Sequence, residues 1–564
     1  MPMFRPRAQI RPRTYPPLLF HPLGGCGEIG MNLSLYGYED DWIAVDCGMM
    51  IRQDLPDQPL QIPDVEHLAA KAMVPSAVYI THGHEDHLGA LAWIWPRWNC
   101  PVYATPLAIE LLRAKFIEQG LKTDALKPIQ PGASVTTGPF AVTFLPVTHS
   151  IPESCALSII TPRHRILHTG DWKQDERPLI GPPLSAAQFQ ALAPVDLVVA
   201  DSTNADVEGH SRSEAEAASA LEAVIRNCRG RVVVSCFASN IARIKALGNI
   251  AERSGRRVAL LGRSMERMVS IALQLGYLDD FPPRVPAHDL GYLLPEEVLI
   301  IATGSQGEPR SALSRMAQGR HPALDLQPED DVIFSARAIP GNERPIERLK
   351  AGFKRLGANV HDEHTDPALH ASGHPAREEL RQLYRWIQPK LLLPVHGETS
   401  HQEAHRELAS ELGIDVPQLV KNGAVLALEA ETLVPRAQHH LRPQLIASRA
   451  RPGERTHPVS ARQHAHSLSI AMNVLPTATG WTRIGRLLWD SEISLPLDED
   501  ALADWLDERV DSIKADTLLQ LRQQLFGPLR DWLQDHLPVL PEIHLQLMPV
   551  DPQPEYEVRT ASSR

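Results

Sequence analysis

From Leu18 to about Ala200, short runs rich in β-branched and aromatic residues alternate with stretches of helical periodicity. The runs MNLSLYGY, WIAVDCG, AVYITHG, FAVTFLPVTH, LSIITP, HRILHTGD and VDLVVADS predict strands, and their alternation with helices predicts α/β layers. From about Ser211 the texture changes. SEAEAASALEAVIRNC predicts an amphipathic helix, RVVVSCFA a buried strand and NIARIKALGNIAERSG a second helix, and this α/β pattern continues to about Thr365. The stretch LHASGHPAREELRQLYRWIQPKLLLPVHGETSHQEAHRELASELG then returns to helix, strand and helix with more histidines, so the chain is expected to re-enter its first domain.

The expected organisation is therefore an arm at 1–17, a first domain at 18–210, an inserted domain at 211–365 and the return of the first domain at 366–435. The Pro-, Arg- and His-rich text of 436–458 lacks periodicity and reads as a linker. A small α+β unit is expected at 459–564, helical over LDEDALADWLDERVDSIKADTLLQLRQQLFGPLRDWLQDHL and ending in the strand-like EIHLQLMPV.

A chain of 564 residues exceeds what one hydrophobic core serves, in keeping with this partition. The net charge of −12 argues against a uniformly basic nucleic-acid-binding surface; a polyanion would need a local basic channel, cations or both. The six cysteines, Cys26, Cys47, Cys100, Cys155, Cys228 and Cys236, form no C-x-x-C pair, so reduced thiols and a metal site without thiolates are expected. No apolar run approaches the ~18 residues of a membrane span, and prolines break the opening MPMFRPRAQIRPRTYPPLLF. A cytoplasmic chain with no membrane partner is expected. Arg5, Arg7, Arg11 and Arg13 make this opening either a frayed tail or an arm that touches RNA.

Candidate chemistry concentrates in THGHEDHLGA, where a predicted strand ending at Ile80 runs into a turn carrying His82, His84, Asp86 and His87. Such a turn can aim His82 and His84 at one cation and Asp86 and His87 at its neighbour. Imidazole and carboxylate are the ligands Zn²⁺ takes in hydrolytic sites that keep a position for water. Asp46, His149, Asp171, Asp201, His374 and His396 follow, each at a predicted strand end, where a lone Asp or His is ordinarily a turn residue. Their number and order give them weight together.

The segments PLGGCGEIGMNLSLY, IPDVEHL, THGHEDHLGAL, TGDWK, ADSTNA, CFASNIARI, ATGSQGEPRSALSRMA, IPGNE, HASGHPAREEL and PVHGETSHQEAH resemble, in this order, those of the ribonuclease J family, in the β-CASP branch of the metallo-β-lactamase superfamily. The resemblance runs from about Pro22 to Pro435 and is looser in GRLLWDSEIS and FGPLRDWLQDHLPVLPEIHL. It implies an α/β fold: a metallo-β-lactamase αββα sandwich with an inserted β-CASP α/β domain and a small α+β C-terminal domain. It further implies two Zn²⁺ per chain, with Mn²⁺ or Mg²⁺ as alternatives. His82, His84 and His149 would bind one ion, Asp86, His87 and His396 the other, and Asp171 would bridge them. Asp46 would orient a ligand imidazole. His374 would contact the scissile phosphate and protonate the leaving oxygen, positioned by Asp201. A 5′-phosphate pocket would be formed by Phe237, Ala238, Ser239, His370, Ala371, Ser372, Gly373 and His374, with Phe237 placed to stack on a base.

What the resemblance implies is a ribonuclease that degrades single-stranded RNA from a 5′-monophosphate end, cuts internally as well, forms a homodimer or homotetramer and joins RNA-degradation partners. A β-CASP nuclease for DNA or RNA 3′ ends, a non-catalytic RNA-binding subunit and a small-molecule hydrolase are the alternatives. GGCGEIG lacks the preceding buried strand and the following long helix of a dinucleotide fingerprint and reads as a tight turn beside the metal site, and TGSQGEP has no P-loop lysine. HDEHTDPA sets acidic charge where RNA would pass, and His439, His440, His464 and His466 are assigned to a solvated linker.

Overall fold

The computed structural model describes residues 16–52, 60–339, 341–429, 431–446, 467–477, 480–491, 499–515, 517–536 and 542–549. The chain divides into two compact units, 1–456 and 457–564.

In the first unit two sheets pack face to face. One has eight strands in the order Thr432–Gln438, Ala424–Glu429, Leu18–Gly24, Leu33–Tyr38, Asp41–Val45, Ala77–Tyr79, Val102–Ala104 and Leu126–Pro128. The other has six, in the order Ser134–Thr137, Phe140–Pro146, Cys155–Ile160, Arg165–His168, Leu197–Asp201 and Leu391–Val395. Side chains alternate across a strand, and Leu33–Tyr38 shows the result. Leu33 and Leu35 join the core under the helices, whereas Tyr36 and Tyr38 join Phe144, Leu157 and Val199 between the sheets. Helix Pro106–Glu118 covers one outer face with Leu112 and Phe116, and helices Arg377–Ile387 and Thr399–Glu411 cover the other with Leu380, Leu383 and Leu408. These layers are the expected αββα sandwich.

Strand Leu197–Asp201 pairs in parallel with Leu391–Val395, Asp201 opposite Val395, although a whole domain lies between them in sequence. That insertion is a parallel sheet in the order Arg257–Leu261, Val298–Ala302, Val232–Ser235, Asp331–Phe334 and Asn359–His361. Its central strand, Val232–Ser235, opens with three valines because Val232 and Val234 face one core and Val233 the other. Helix Glu214–Asn227 leads into it from a capping box, in which Ser213 and Glu216 satisfy each other's backbone N–H groups at 3.1 and 3.2 Å.

The second unit is a three-stranded sheet, in the order Gly480–Ser491, Ser467–Thr477 and Glu542–Pro549, with helices Glu499–Ser512 and Leu518–His536. Leu502, Leu506, Leu521, Leu525, Leu529 and Leu533, at helical spacing, fill its core.

One expectation needs correction. Residues 436–446 are not part of a linker: strand Thr432–Gln438 extends the first sheet, and Gln444–Ile446 pairs antiparallel with Leu60–Ile62. The outer end of that edge strand is solvated, so it carries no apolar alternation to read. Residues 1–15 and 447–466, with the basic arm, His464 and His466, lie outside the described residues. All six cysteines are unpaired, and no helix among the described residues is long and apolar enough to cross a membrane.

Candidate metal centre and its cleft

The turn after strand Ala77–Tyr79 packs against the loop that ends strand Asp41–Val45. Cys47 N donates to the His87 carbonyl at 2.7 Å, and Asn32 N to the Asp86 carbonyl at 2.9 Å. The approach needs glycine, since a Cβ on Gly48 would lie 1.6 Å from the Asp86 carbonyl oxygen. Asp46 and His396 hold left-handed backbone, with φ of 62° and 51°, a local cost accepted where a side chain must be aimed.

Around this turn the candidate donors form two sets. His84 Nδ1 lies 3.0 Å from His82 Nε2 and 3.1 Å from His149 Nε2, while Asp171 Oδ2 lies 3.7 and 3.8 Å from those two Nε2 atoms. The same Asp171 Oδ2 is 3.2 Å from His87 Nε2 and 3.7 Å from His396 Nε2, and Asp86 Oδ2 is 3.6 and 3.2 Å from them. A tetrahedral ion with ligand bonds of about 2.0–2.1 Å has edges of about 3.4 Å, so each set already has the spacing of a coordination shell. One carboxylate oxygen belongs to both.

The nitrogens turned away from these centres are fixed. Thr81 Oγ1 has a single proton and donates it to Asp46 at 3.0 Å, so it accepts from His82 Nδ1 at 2.9 Å. Thr203 repeats the arrangement, donating to Asp201 Oδ1 at 2.7 Å and accepting from His396 Nδ1 at 2.7 Å. His87 Nδ1 donates to Asp46 Oδ2 at 2.8 Å and His149 Nδ1 to the Gly373 carbonyl at 2.6 Å. The Nε2 atoms of these four histidines are thereby left facing the centre.

Charge supports the same fit. Burial pushes the His82, His84 and His149 imidazoles down, His84 to about 4, which keeps them neutral as metal binding requires. For His87 and His396 burial also opposes charge, but Asp171 outweighs burial and raises both, followed by Asp86 for His87 and by Asp201 and Asp86 for His396, which is raised to about 10. The carboxylates thus demand positive charge at the point where a cation would supply it. The residues present fit a metal centre.

Against the centre stands His374, whose Nδ1 donates to Asp201 Oδ2 at 2.8 Å and lies 3.9 Å from Asp171 Oδ2. Burial disfavours its charged form, but Asp201 outweighs burial and its pKa is raised. Its loop is held by residues the sequence reading did not single out. Asn204 Nδ2 donates to Ser372 Oγ at 2.8 Å and to the His374 carbonyl at 3.1 Å, and Ser211 Oγ donates to that carbonyl at 2.5 Å. Buried Glu379 accepts from Ala376 N at 2.7 Å, Gln174 N at 2.8 Å and Ser211 N at 2.9 Å. Thr81 and Thr203 were also missed. Their only signal was adjacency, each lying beside or near an acid or histidine already in view.

All eight residues nominated for phosphate binding, Phe237, Ala238, Ser239, His370, Ala371, Ser372, Gly373 and His374, line one cleft of about 2300 Å³ between sandwich and insertion. Ser239 has a contact the sequence did not suggest: its Oγ lies 3.0 Å from His84 Nε2. Ser372 Oγ accepts from both Asn204 and His374 N, so its proton is free for a ligand. GGCGEIG does lie beside the centre, with the Gly25 carbonyl accepting from His396 N at 2.6 Å, but contrary to expectation a buried strand, Leu18–Gly24, leads into it. Of HDEHTDPA, Glu363 lines the cleft, whereas Asp362 is paired with Lys350 at 2.8 Å.

Three family models match consecutive parts of the chain: a beta-lactamase superfamily domain at 41–234, the ribonuclease J beta-CASP domain at 229–351, and a Zn-dependent metallo-hydrolase RNA specificity domain at 365–417. Ribonuclease J of Sinorhizobium meliloti is 41% identical over 419 residues, covering 73% of this chain and 74% of that one. Ribonuclease J of Thermus thermophilus is 39% identical over 424 residues, with the same coverage. Ribonuclease J 1 of Streptococcus pyogenes is 37% identical over 420 residues, again covering 73% and 74%. Among solved structures, a protein of unknown function from Enterococcus faecalis shares the fold, with a TM-score of 0.51 at 17% identity over 74% of this chain and 100% of that one.

Proposed function

Since this chain belongs to the ribonuclease J family of metal-dependent ribonucleases, we propose that it uses two zinc ions to degrade single-stranded RNA from a 5′-monophosphate end in the 5′-to-3′ direction, and cuts internally as well. The observation that carries this reading is the Asp171 oxygen common to two donor sets, with the His374–Asp201 pair beside it on the floor of a cleft. His82, His84 and His149 would hold one ion, Asp86, His87 and His396 the second, and Asp171 both. Such a pair, when bound, would supply a water acidic enough to ionise near neutral pH and serve as the nucleophile toward phosphorus, and would offset charge growing on the phosphoryl oxygens.

The chain's own residues do the rest. Asp46 and Asp201, directly or through Thr81 and Thr203, orient the donor imidazoles. Asp201 also keeps the Nδ1 proton on His374, so Nε2 is the nitrogen that meets the scissile phosphate and gives a proton to the leaving 3′-oxygen. At the 5′ end Ser372, Ser239, His370 and the loop amides of Ala371 and Gly373 receive the terminal phosphate, and Ala238 and Phe237 receive the base.

The test uses matched RNAs with 5′-monophosphate, triphosphate or hydroxyl ends, and single-stranded DNA, with and without chelator. Mononucleotide release from the monophosphate RNA, abolished by chelator and in His84→Ala, is expected. Robust cleavage of DNA, or activity that survives metal removal, would overturn the proposal. Cytoplasmic location, a homodimer or homotetramer, and partnership with other RNA-degrading proteins complete the reading, supported by the likeness to the ribonuclease J relatives.

A further inference from the structure

Away from the cleft, three histidines from distant parts of the chain meet. His21, fully buried in strand Leu18–Gly24, donates its Nδ1 proton to the Ala424 carbonyl at 2.7 Å, so its Nε2 carries a lone pair. That Nε2 lies 2.9 Å from Nε2 of His67, on the short helix Glu66–Ala70. His439, immediately after strand Thr432–Gln438, stacks on His67 with ring centroids 4.6 Å apart and lies 5.3 Å from His21. One ring nitrogen from each lies within 4.8 Å of the other two.

From this convergence we propose a third metal site, in which His21, His67 and His439 bind one late first-row divalent ion of the zinc class. Imidazole nitrogens without carboxylates select Zn²⁺, Ni²⁺ or Cu²⁺ over the oxygen-seeking Mg²⁺ and Ca²⁺. Burial pushes His21 down to about 4, and burial together with His439 pushes His67 down as well, so both are neutral at neutral pH. In the present geometry the proton on His67 Nε2 bridges to His21. Moving it to Nδ1 bares the second nitrogen without releasing a proton, and the fourth coordination position goes to water.

The backbone under the site is already fixed. His439 N donates to the Gly423 carbonyl at 2.7 Å, and Asp64, three residues before His67, accepts from Arg442 N at 2.8 Å. Only the half-buried His67 and His439 rings need to shift to reach the tetrahedral edge of about 3.4 Å. The ion would tie the first strand, the first helix and the segment after 438 together, supplying cohesion at a sheet edge that has few apolar side chains.

The site is tested on the full chain, stripped with chelator and re-equilibrated with buffered Zn²⁺, by plasma mass spectrometry of wild type, His67→Gln and His439→Gln. Wild type is expected to retain one zinc per chain more than either variant, with equal RNA hydrolysis by all three. Equal metal content in all three would overturn the site and leave a histidine–histidine hydrogen bond. Loading with Co²⁺ gives an independent reading. A visible absorption difference between wild type and either variant supports the site, and its absence overturns it.

Discussion

Two threonines illustrate how much of the centre depends on atoms that never meet a ligand. Thr81 and Thr203 each pass one proton to a carboxylate and accept one from a histidine, so a single hydroxyl fixes both the tautomer and the tilt of an imidazole. Thr203→Val preserves shape and removes this coupling. It is expected to weaken metal binding 10–100-fold, read as a rightward shift in the free zinc needed for half-maximal activity, with Thr203→Ser restoring it; an unchanged zinc requirement would show that His396 needs no such partner. Ser239 offers a sharper contrast, because its hydroxyl sits on His84 Nε2 while lining the cleft where the 5′-phosphate is proposed to bind. If support of His84 dominates, Ser239→Ala raises the metal requirement on every RNA; if phosphate binding dominates, it erases only the proposed preference for the 5′-monophosphate. The first outcome is expected. For His374→Ala, loss of the proposed proton donor predicts a fall in kcat of about 10²–10⁴-fold with little change in metal affinity, since its Nδ1 is engaged by Asp201.

At the scale of elements, the strands were legible because burial imposes a pattern: Leu33–Tyr38, Leu197–Asp201 and Val232–Ser235 are largely apolar runs buried along their whole length. The donors were legible because each sits near the end of such a run or in the loop beyond it, where backbone turns toward the cleft. Edge strand Thr432–Gln438 was missed for the converse reason, and with it the packing of His439. Long-range polar partners leave no periodic trace at all. Between the helices of the insertion, Arg243 and Glu214 form an ion pair at 2.9 Å with both side chains buried, and Arg243 also donates to the Ser335 carbonyl at 3.1 Å and to the Leu369 carbonyl at 3.3 Å. Arg243→Met leaves a buried carboxylate without its cation and is expected to cost about 3–5 kcal/mol in denaturant unfolding; adding Glu214→Leu recovers most of that loss. Burial pushes the Glu214 pKa up, but Arg243 and Lys173 outweigh it and hold it below the ordinary value of 4.5. A depressed carboxylate contributes its stability fully above its unfolded value and loses it as pH falls through the folded one. Unfolding below about pH 4.5 should therefore be steeper in wild type than in the double variant.

At the scale of the whole molecule, a chain with net charge −12 must bring a polyanion into a cleft whose floor is rich in carboxylates. The insertion supplies the opposing charge. Arg344, Arg348 and Arg355 lie on one face of helix Glu343–Arg355, opposite buried Ile346 and Phe353, and with Arg337 they line the cleft. The acids among them are partly spoken for: Glu343 accepts from Gly341 N at 3.0 Å, and burial pushes Glu308 toward its neutral form. Arginines at this spacing suit successive phosphates of a single strand, held by charge rather than by sequence. Removing one arginine from its phosphate should lower the slope of log affinity against log salt by about 0.7 for a single strand, so Arg344→Gln with Arg348→Gln is expected to lower it by about 1.4. Fluorescence anisotropy of a labelled RNA across a salt series reads this directly. Because neither arginine reaches the metal donors, kcat on an RNA too short to reach the helix should be unchanged. A slope equal to that of wild type would mean the strand leaves the centre by another path, and the face of the insertion that carries these arginines would lose its role in guiding RNA.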